Sequence, residues 1–259
     1  MNNVNKTLYI PLYAKALVSR RGLFISDKSA ERIWEAEGFA LKGKSKSKWL
    51  AFYLGVRAAV FDRWVKDKIA EMPSAAVVHI GCGLDSRILR IGNGSVKWYD
   101  LDFPEVIEER RHYFSESESY KMLPDNATEC DWIGGIDAKS VIIVMEGVSM
   151  YMPEDALCGM LTKISERFES VALLVDCYST FAAKMSKIKN PINDVGVSEV
   201  YGIDEPERLS VGALEFLAER KMTPEEYISE LSGMEKRIFE RLYAGKFASK
   251  LYRLFEYKK

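Results

Sequence analysis

The residues best suited to chemistry in this chain are a pair of glycines, a few acids and one arginine, set at the ends of apolar runs. Gly81-Cys82-Gly83 follows Ala75 to Ile80, an apolar run with β-branched residues that reads as a buried strand. A second run, Val96 to Leu101, leads into Asp100-Leu-Asp102-Phe-Pro104. Glycines after a strand let the backbone approach a ligand closely, and an acid about 20 residues on takes ribose hydroxyls. Strand, glycine turn, helix, strand and acidic end is the order in which a Rossmann-type unit holds an adenosyl ligand. The third glycine of a dinucleotide fingerprint would fall on Ser86, which weakens a nicotinamide reading more than one in which the ligand is S-adenosylmethionine (SAM). The pattern points to methyl transfer from SAM, with Gly81, Cys82 and Gly83 against the cofactor.

The acids and the arginine have alternative readings. Asp100 and Asp102 share a face if the strand continues, so either could reach the ribose. Both could equally be helix-start acids before Pro104, and spacing does not choose. Arg57 has Tyr53, Leu54, Val60 and Phe61 at helical spacing, which puts a charge inside an apolar stripe. It needs a partner there. The partner is either a core acid in a buried salt bridge or the carboxylate of the SAM methionine, gripped by the guanidinium fork. Glu146 ends the run Val141 to Met145, where an acid could hold the SAM ammonium. Tyr151 is a candidate wall of the substrate pocket. His79 sits inside the first strand and His112 on an exposed helix, so neither is a convincing base. That favours an acceptor already acidic, a carboxylate or an acidic hydroxyl.

Helices and strands must position these groups. Residues 1 to 70 read as helical, with Asp27 capping a helix over Ser29 to Glu37 and a longer helix over Trp49 to Met72. From Ala75 onward strands (75–80, 96–101, 120–124, 141–146, 171–176) alternate with helices (84–91, 104–115, 153–168, 179–187), which predicts a mostly parallel sheet with helices on both faces. Residues 189–206 read as a loop over the site. Pro224 predicts a helix over 225–242, and Leu251 to Tyr257 is strand-like. Residues 1–72 are expected to form a helical lid on a ligand-binding domain at 73–259, one structural unit overall. Gly38 to Ser45 matches GxxxxGK[ST] letter for letter, and Leu173-Leu-Val-Asp176 resembles a metal-binding aspartate strand. A phosphate-binding loop must follow a strand, however, and Ala30 to Glu37 is helical.

Composition sets outer limits. With 259 residues, 47% of them apolar, the chain has ample material for one large core. A net charge of −1 gives no general attraction to nucleic acid or anionic membrane. The N-terminus lacks the layout of a signal peptide, and the apolar runs are too short to cross a bilayer. Cys82, Cys130, Cys158 and Cys177 form no CxxC pair, so no metal site is expected and reduced thiols in a cytoplasm are.

Several of these stretches together resemble the leucine carboxyl methyltransferase family, in particular its bacterial polyketide (tetracenomycin-type) O-methyltransferase branch. They are Thr7 to Ala16, Arg57 to Asp62, His79 to Arg87, Trp98 to Val106 with the helix beyond it to Arg110, and Glu146 to Tyr151. The glycine motif followed by Leu-Asp-x-Arg and then Asp-x-Pro-Glu-Val is more specific than any part alone. The resemblance covers nearly the whole chain and implies a Rossmann-like, seven-stranded SAM-methyltransferase sheet with a helical lid. It implies that Arg57 meets the SAM carboxylate, that Gly81 and Gly83 approach the methionine portion and that Asp102 takes the ribose. It further implies that Asn126 and Ala127 frame the adenine and that Glu146 lies near the methionine moiety. The family commonly has aspartate where this chain has Asn126. The acceptor class implied is a polyketide-like small molecule or a protein carboxyl group. Alternatives of other classes are a nicotinamide-dependent oxidoreductase, a nucleotidase and a non-catalytic SAM-binding protein.

Overall fold

Alternating strand parity organises the molecule, as a computed structural model shows. The described residues are 8–37, 41, 43–92, 94, 96–186 and 199–259. Seven strands form one sheet: β1 (Ala76–Ile80), β2 (Trp98–Asp102), β3 (Tyr120–Pro124), β4 (Ser140–Met145), β5 (Ser170–Tyr178), β6 (Glu215–Arg220) and β7 (Tyr252–Lys258). Their order across the sheet is β3-β2-β1-β4-β5-β7-β6. The first five pair in parallel, while β7 runs antiparallel to both β5 and β6. In β4, Ile142 and Val144 point to one face, and Val141, Ile143 and Met145 to the other. Such near-continuous apolar strands are what a sheet covered on both sides requires.

The first face carries helices α1 (Tyr9–Arg20), α3 (Lys48–Glu71) and α5 (Pro104–Arg111). Their side chains, among them Leu12, Val18, Phe52, Phe61, Val106 and Ile107, share one core with Ile142, Val144 and Leu174. That core runs across residues 72 and 73 without interruption. The second face carries α6 (Glu154–Arg167), whose Leu157, Leu161 and Ile164 pack on Val141, Ile143 and Leu173. The remaining helices are α2 (Lys28–Glu37), α4 (Arg87–Ile91), α7 (Thr180–Ser186), α8 (Glu225–Ile228) and α9 (Gly233–Phe239). Asp27 does cap α2: its Oδ1 accepts the Ala30 N–H at 2.8 Å.

Two expectations change. The helix expected over 225–242 is broken between Ile228 and Gly233, where Gly233 takes a left-handed φ of +55°. An unforeseen strand, β6, closes the far edge of the sheet; its charged and largely exposed residues carry little apolar alternation. The phosphate-loop match lies partly outside the described residues (38–40 and 42), and what precedes it is helix α2 rather than a strand. Of the expected loop 189–206, residues 189–198 also lie outside them.

Candidate active site

A cavity of about 470 Å³ opens at the carboxyl ends of β1, β2 and β4. This is the switch point of the sheet, where the chain leaves β1 toward β2 on one side and β4 lies on the other, and where open α/β sheets hold ligands. The cavity is lined by Arg57, Gly81, Cys82, Gly83, Asp102, Asn126, Ala127, Glu146 and Tyr151, all of them expected from the sequence. Asp100 is not among the lining residues. Lys15, Asp85 and Asp125 line the cavity as well and were not foreseen.

The glycine turn is built by close contact. The Gly81 N–H donates to the Leu101 carbonyl at 2.8 Å, which ties the end of β1 to β2. Gly81 has φ +70°, and a Cβ there would lie 2.7 Å from Val148 Cγ2, so both the conformation and the space demand glycine. Gly83 also has positive φ, +50°, and its N–H donates to Asp102 Oδ2 at 2.8 Å. The other Asp102 oxygen accepts the Phe103 N–H at 2.8 Å. Burial pushes the Asp102 carboxyl up to about 6, against those two hydrogen bonds and the nearby Arg110 charge, which hold it down.

Asp100 turns into the core. Its carboxylate accepts from Trp98 Nε1 at 2.9 Å, from the Tyr120 hydroxyl at 2.7 Å and from Arg110 Nη2. Burial opposes its ionisation, yet the Arg110 charge, with His79 and the Tyr120 hydroxyl, brings it to about 2. The structure thus separates two acids that the sequence could not: Asp102 is in the cavity and Asp100 is behind it.

Arg57 lies at the cavity wall and is paired with buried acids, as its salt-bridge reading expects. Its Nε donates to Glu146 Oε1 at 3.0 Å, and its Nη1 to Asp176 Oδ2 at 3.2 Å and the Tyr252 hydroxyl at 2.7 Å. Its Nη2 lies beneath Gly147, where a Cβ would come within 3.0 Å. The aspartate that resembled a metal ligand, Asp176, is thus a partner of Arg57. Asp176 also accepts the Gly147 N–H at 2.7 Å, and burial raises its carboxyl to about 6. No group of acids, histidines and cysteines suited to a metal is found among the described residues.

Glu146 completes a chain of buried charges. Its second oxygen accepts from Arg87 Nη2, and the Arg87 and Arg57 charges overcome burial to hold its carboxyl at about 2. Arg87 Nε donates to Asp62 at 2.8 Å, and Arg90 reaches Asp62, Asp85 and Asp27 at 2.6–2.8 Å. Lys15, only 4% exposed, pairs with Asp85 at 2.9 Å. Like Arg57, Lys15 is a cation set among apolar helix neighbours (Leu12, Ala14, Ala16, Val18), and that position was the signal available in the sequence.

His79 is held neutral. Arg87 Nη1 can only donate, so His79 Nε2 accepts at 3.2 Å, and the ring proton sits on Nδ1, 3.5 Å from Asp100 Oδ1. Burial and the Arg87 charge lower its pKa. His112 is exposed directly after α5 and lies 3.7 Å from Glu109. Asn126 is taken up locally: its Oδ1 accepts from Thr128 N and Oγ1 at 3.2 and 2.9 Å, and its Nδ2 donates to Glu129 at 3.1 Å. Ala127 gives its carbonyl to Trp132 Nε1 at 2.9 Å.

Comparison with known proteins gives the family. A model of the leucine carboxyl methyltransferase family matches residues 3–165. The tetracenomycin polyketide synthesis O-methyltransferase TcmP of Streptomyces glaucescens is 26% identical over 244 residues, 91% of this chain and 89% of that protein. A SAM-dependent methyltransferase of Gibberella zeae, dpfgK, is 23% identical over 183 residues, 64% of this chain and 61% of that protein. Among solved structures, a DUF574 family protein from Streptomyces avermitilis superposes with a TM-score of 0.59 at 10% identity, over 95% of this chain and 96% of that one. Magnesium protoporphyrin IX methyltransferase from Synechocystis, solved with bound S-adenosylhomocysteine (SAH), gives 0.52 at 14% identity, over 95% and 99%. The family match spans well over half of the chain, which therefore belongs to the leucine carboxyl methyltransferase family, whose members are SAM-dependent methyltransferases.

Proposed function

We propose that this methyltransferase acts on the oxygen of a carboxylate or an acidic hydroxyl, carried by a polyketide-like small molecule, with a protein carboxyl group as the macromolecular counterpart of the same chemistry. The observation that carries this reading is the state of His79. It lines the cavity, yet its acceptor nitrogen is spent on Arg87, so it has no lone pair with which to take a proton from an acceptor. An acceptor that is already ionised needs no such base.

The lining fits SAM in charge and shape. Four acids and two cations, Asp85, Asp102, Asp125 and Glu146 with Lys15 and Arg57, face a space that suits a cationic ligand with one carboxylate. In our reading Arg57 and Lys15 hold the methionine carboxylate, Glu146 attracts the ammonium, and Asp102 accepts from the ribose hydroxyls. Gly81 and Gly83 let the chain pass close to the methionine portion, and the 125–127 segment borders the adenine. Tyr151 forms an acceptor wall with Leu8, Leu12 and Met152. When bound, SAM supplies an electrophilic methyl group on a sulfonium. The chain's own part is to align the acceptor oxygen and keep water out, which can supply much of the rate.

The remaining expectations follow from this reading. Helix α1, which brings Leu8, Pro11, Leu12 and Lys15 to the cavity, is the lid of the N-terminal extension. The four free thiols are consistent with a cytoplasmic enzyme. Among the described residues no helix is long and apolar enough to cross a membrane. A labelled-methyl screen of candidate acceptors, followed by a pH profile at saturating SAM, tests the acceptor class. The expected profile is flat between about pH 6 and about pH 9; a steep rise with an ionisation near about 7 contradicts it.

A further inference from the structure

Arg110 has the kind of burial that usually signals a structural ion pair, but one of its bonds is not explained that way. It sits in the last turn of α5 and is fully buried, so it cannot touch a ligand. Its Nη2 pairs with Asp100, its Nε donates to the Tyr120 hydroxyl at 3.1 Å, and its guanidinium lies 4.1 Å from the centre of the Phe114 ring. Asp100 alone would balance the charge. Nη1, however, donates to the Gly83 carbonyl at 2.9 Å.

Gly83 is thereby clamped at both of its backbone groups. Its N–H goes to Asp102 Oδ2 at 2.8 Å and its carbonyl to Arg110. Both clamps come from one continuous stretch, the end of β2 and the helix that Pro104 starts directly after it. Without a Cβ and with φ at +50°, Gly83 has wide backbone freedom, so something must fix its orientation. We propose that Arg110 is a positioning residue for donor binding: by holding the Gly83 carbonyl it sets the direction in which the Gly83 turn and the Asp102 carboxylate present themselves to the ribose of the donor. The proposal rests on the reading of Asp102 as the ribose acceptor. The Arg110 charge adds to the effect, because it opposes the burial that favours protonated Asp102.

The test compares SAH with 2′,3′-dideoxy-SAH, by calorimetry on the full chain. A hydrogen bond to a charged group is worth roughly tenfold or more in affinity, so wild type should prefer SAH over the dideoxy compound by at least about that factor. Arg110→Lys keeps the charge but not the three-way fork, and should lose most of that preference while binding the dideoxy compound within about threefold of wild type. If the Lys variant keeps the full preference, or weakens both ligands equally as a merely structural role would, the proposal is overturned. Tyr120→Phe, which removes the Nε partner and leaves Arg110 in place, serves if the Lys variant does not fold. It should shrink the preference in the same direction, and an unchanged preference overturns the proposal. Failure of wild type to discriminate the two ligands removes the ribose role of Asp102 and the proposal with it. Failure of wild type to bind SAH at all removes the donor reading of the cavity itself.

Discussion

The two cavity acids that matter most differ in their ionisation. Glu146 is held ionised by two arginines, at about 2, whereas Asp102 is pushed by burial to about 6. In the proposed ribose role Asp102 would accept best as a carboxylate, so donor affinity should fall as pH drops through about 6 and level off above it. Calorimetric titration with SAH between about pH 5 and about pH 8 checks this, and Asp102→Asn should flatten the curve while weakening binding. Glu146→Gln removes charge from a site facing two buried guanidinium groups. Leaving buried charges uncompensated typically costs about 3–5 kcal/mol, so a marked drop in melting temperature is expected. Gly81→Ala must both adopt a left-handed backbone and push Val148 aside. Such strain costs about 1–3 kcal/mol, and SAH binding should weaken even where the variant remains folded.

At the level of elements, the charge network ties the helical N-terminal part to the glycine loop. Asp27 caps α2 with one oxygen and receives Arg90 Nη1 from α4 with the other, at 2.6 Å; the Ser86 hydroxyl also donates to it. Asp27→Ala therefore loses a cap, worth about 1 kcal/mol, and leaves Arg90 short of a partner. Hydrogen exchange should show α2 opening faster than α6, which the network does not reach; equal protection in both helices would contradict the coupling. The elements legible in the sequence were those with continuous apolar runs or clear punctuation: the five parallel strands, α3 before Pro73, and α5 after Pro104. β6 escaped because a charged edge strand carries little pattern. The helix after Pro224 was drawn as one because its interruption between Ile228 and Gly233 carries no proline, and Gly233 opens the second piece with a positive φ of +55°. For the site, spacing brought Gly81, Gly83, Asp102 and Glu146 to one place. It could not separate Asp102 from Asp100, nor pair Arg57 with Asp176 and Tyr252, because those pairings join residues 119 and 195 positions away.

For the molecule as a whole, the buried charges set its response to acid. Asp85, Asp100 and Glu146 all have carboxyls below their ordinary values, so their ionised forms stabilise the fold, and this contribution is lost as pH falls from about 4 toward about 2. Asp102 and Asp176, at about 6, act in the opposite sense: the folded state holds their protons more tightly, so they cost stability as pH rises from about 4 to about 6. Melting temperature should accordingly fall steeply below about pH 4, and binding of SAH should offset part of the cost near neutral pH. Sharing of one core by the N-terminal helices and the sheet makes a single cooperative transition the expected outcome.

If the cavity beside Gly81 holds SAM with Arg57 at its methionine carboxylate, this arginine governs donor affinity. Calorimetric titration of wild type and Arg57→Lys with SAH tests it most directly. Expected are one site per chain in wild type and an affinity at least about tenfold lower in a folded Arg57→Lys variant, because a guanidinium that holds Glu146, Asp176 and Tyr252 and still offers Nη2 is replaced by a single point charge. No binding by wild type, or equal affinity in the two proteins, would contradict it.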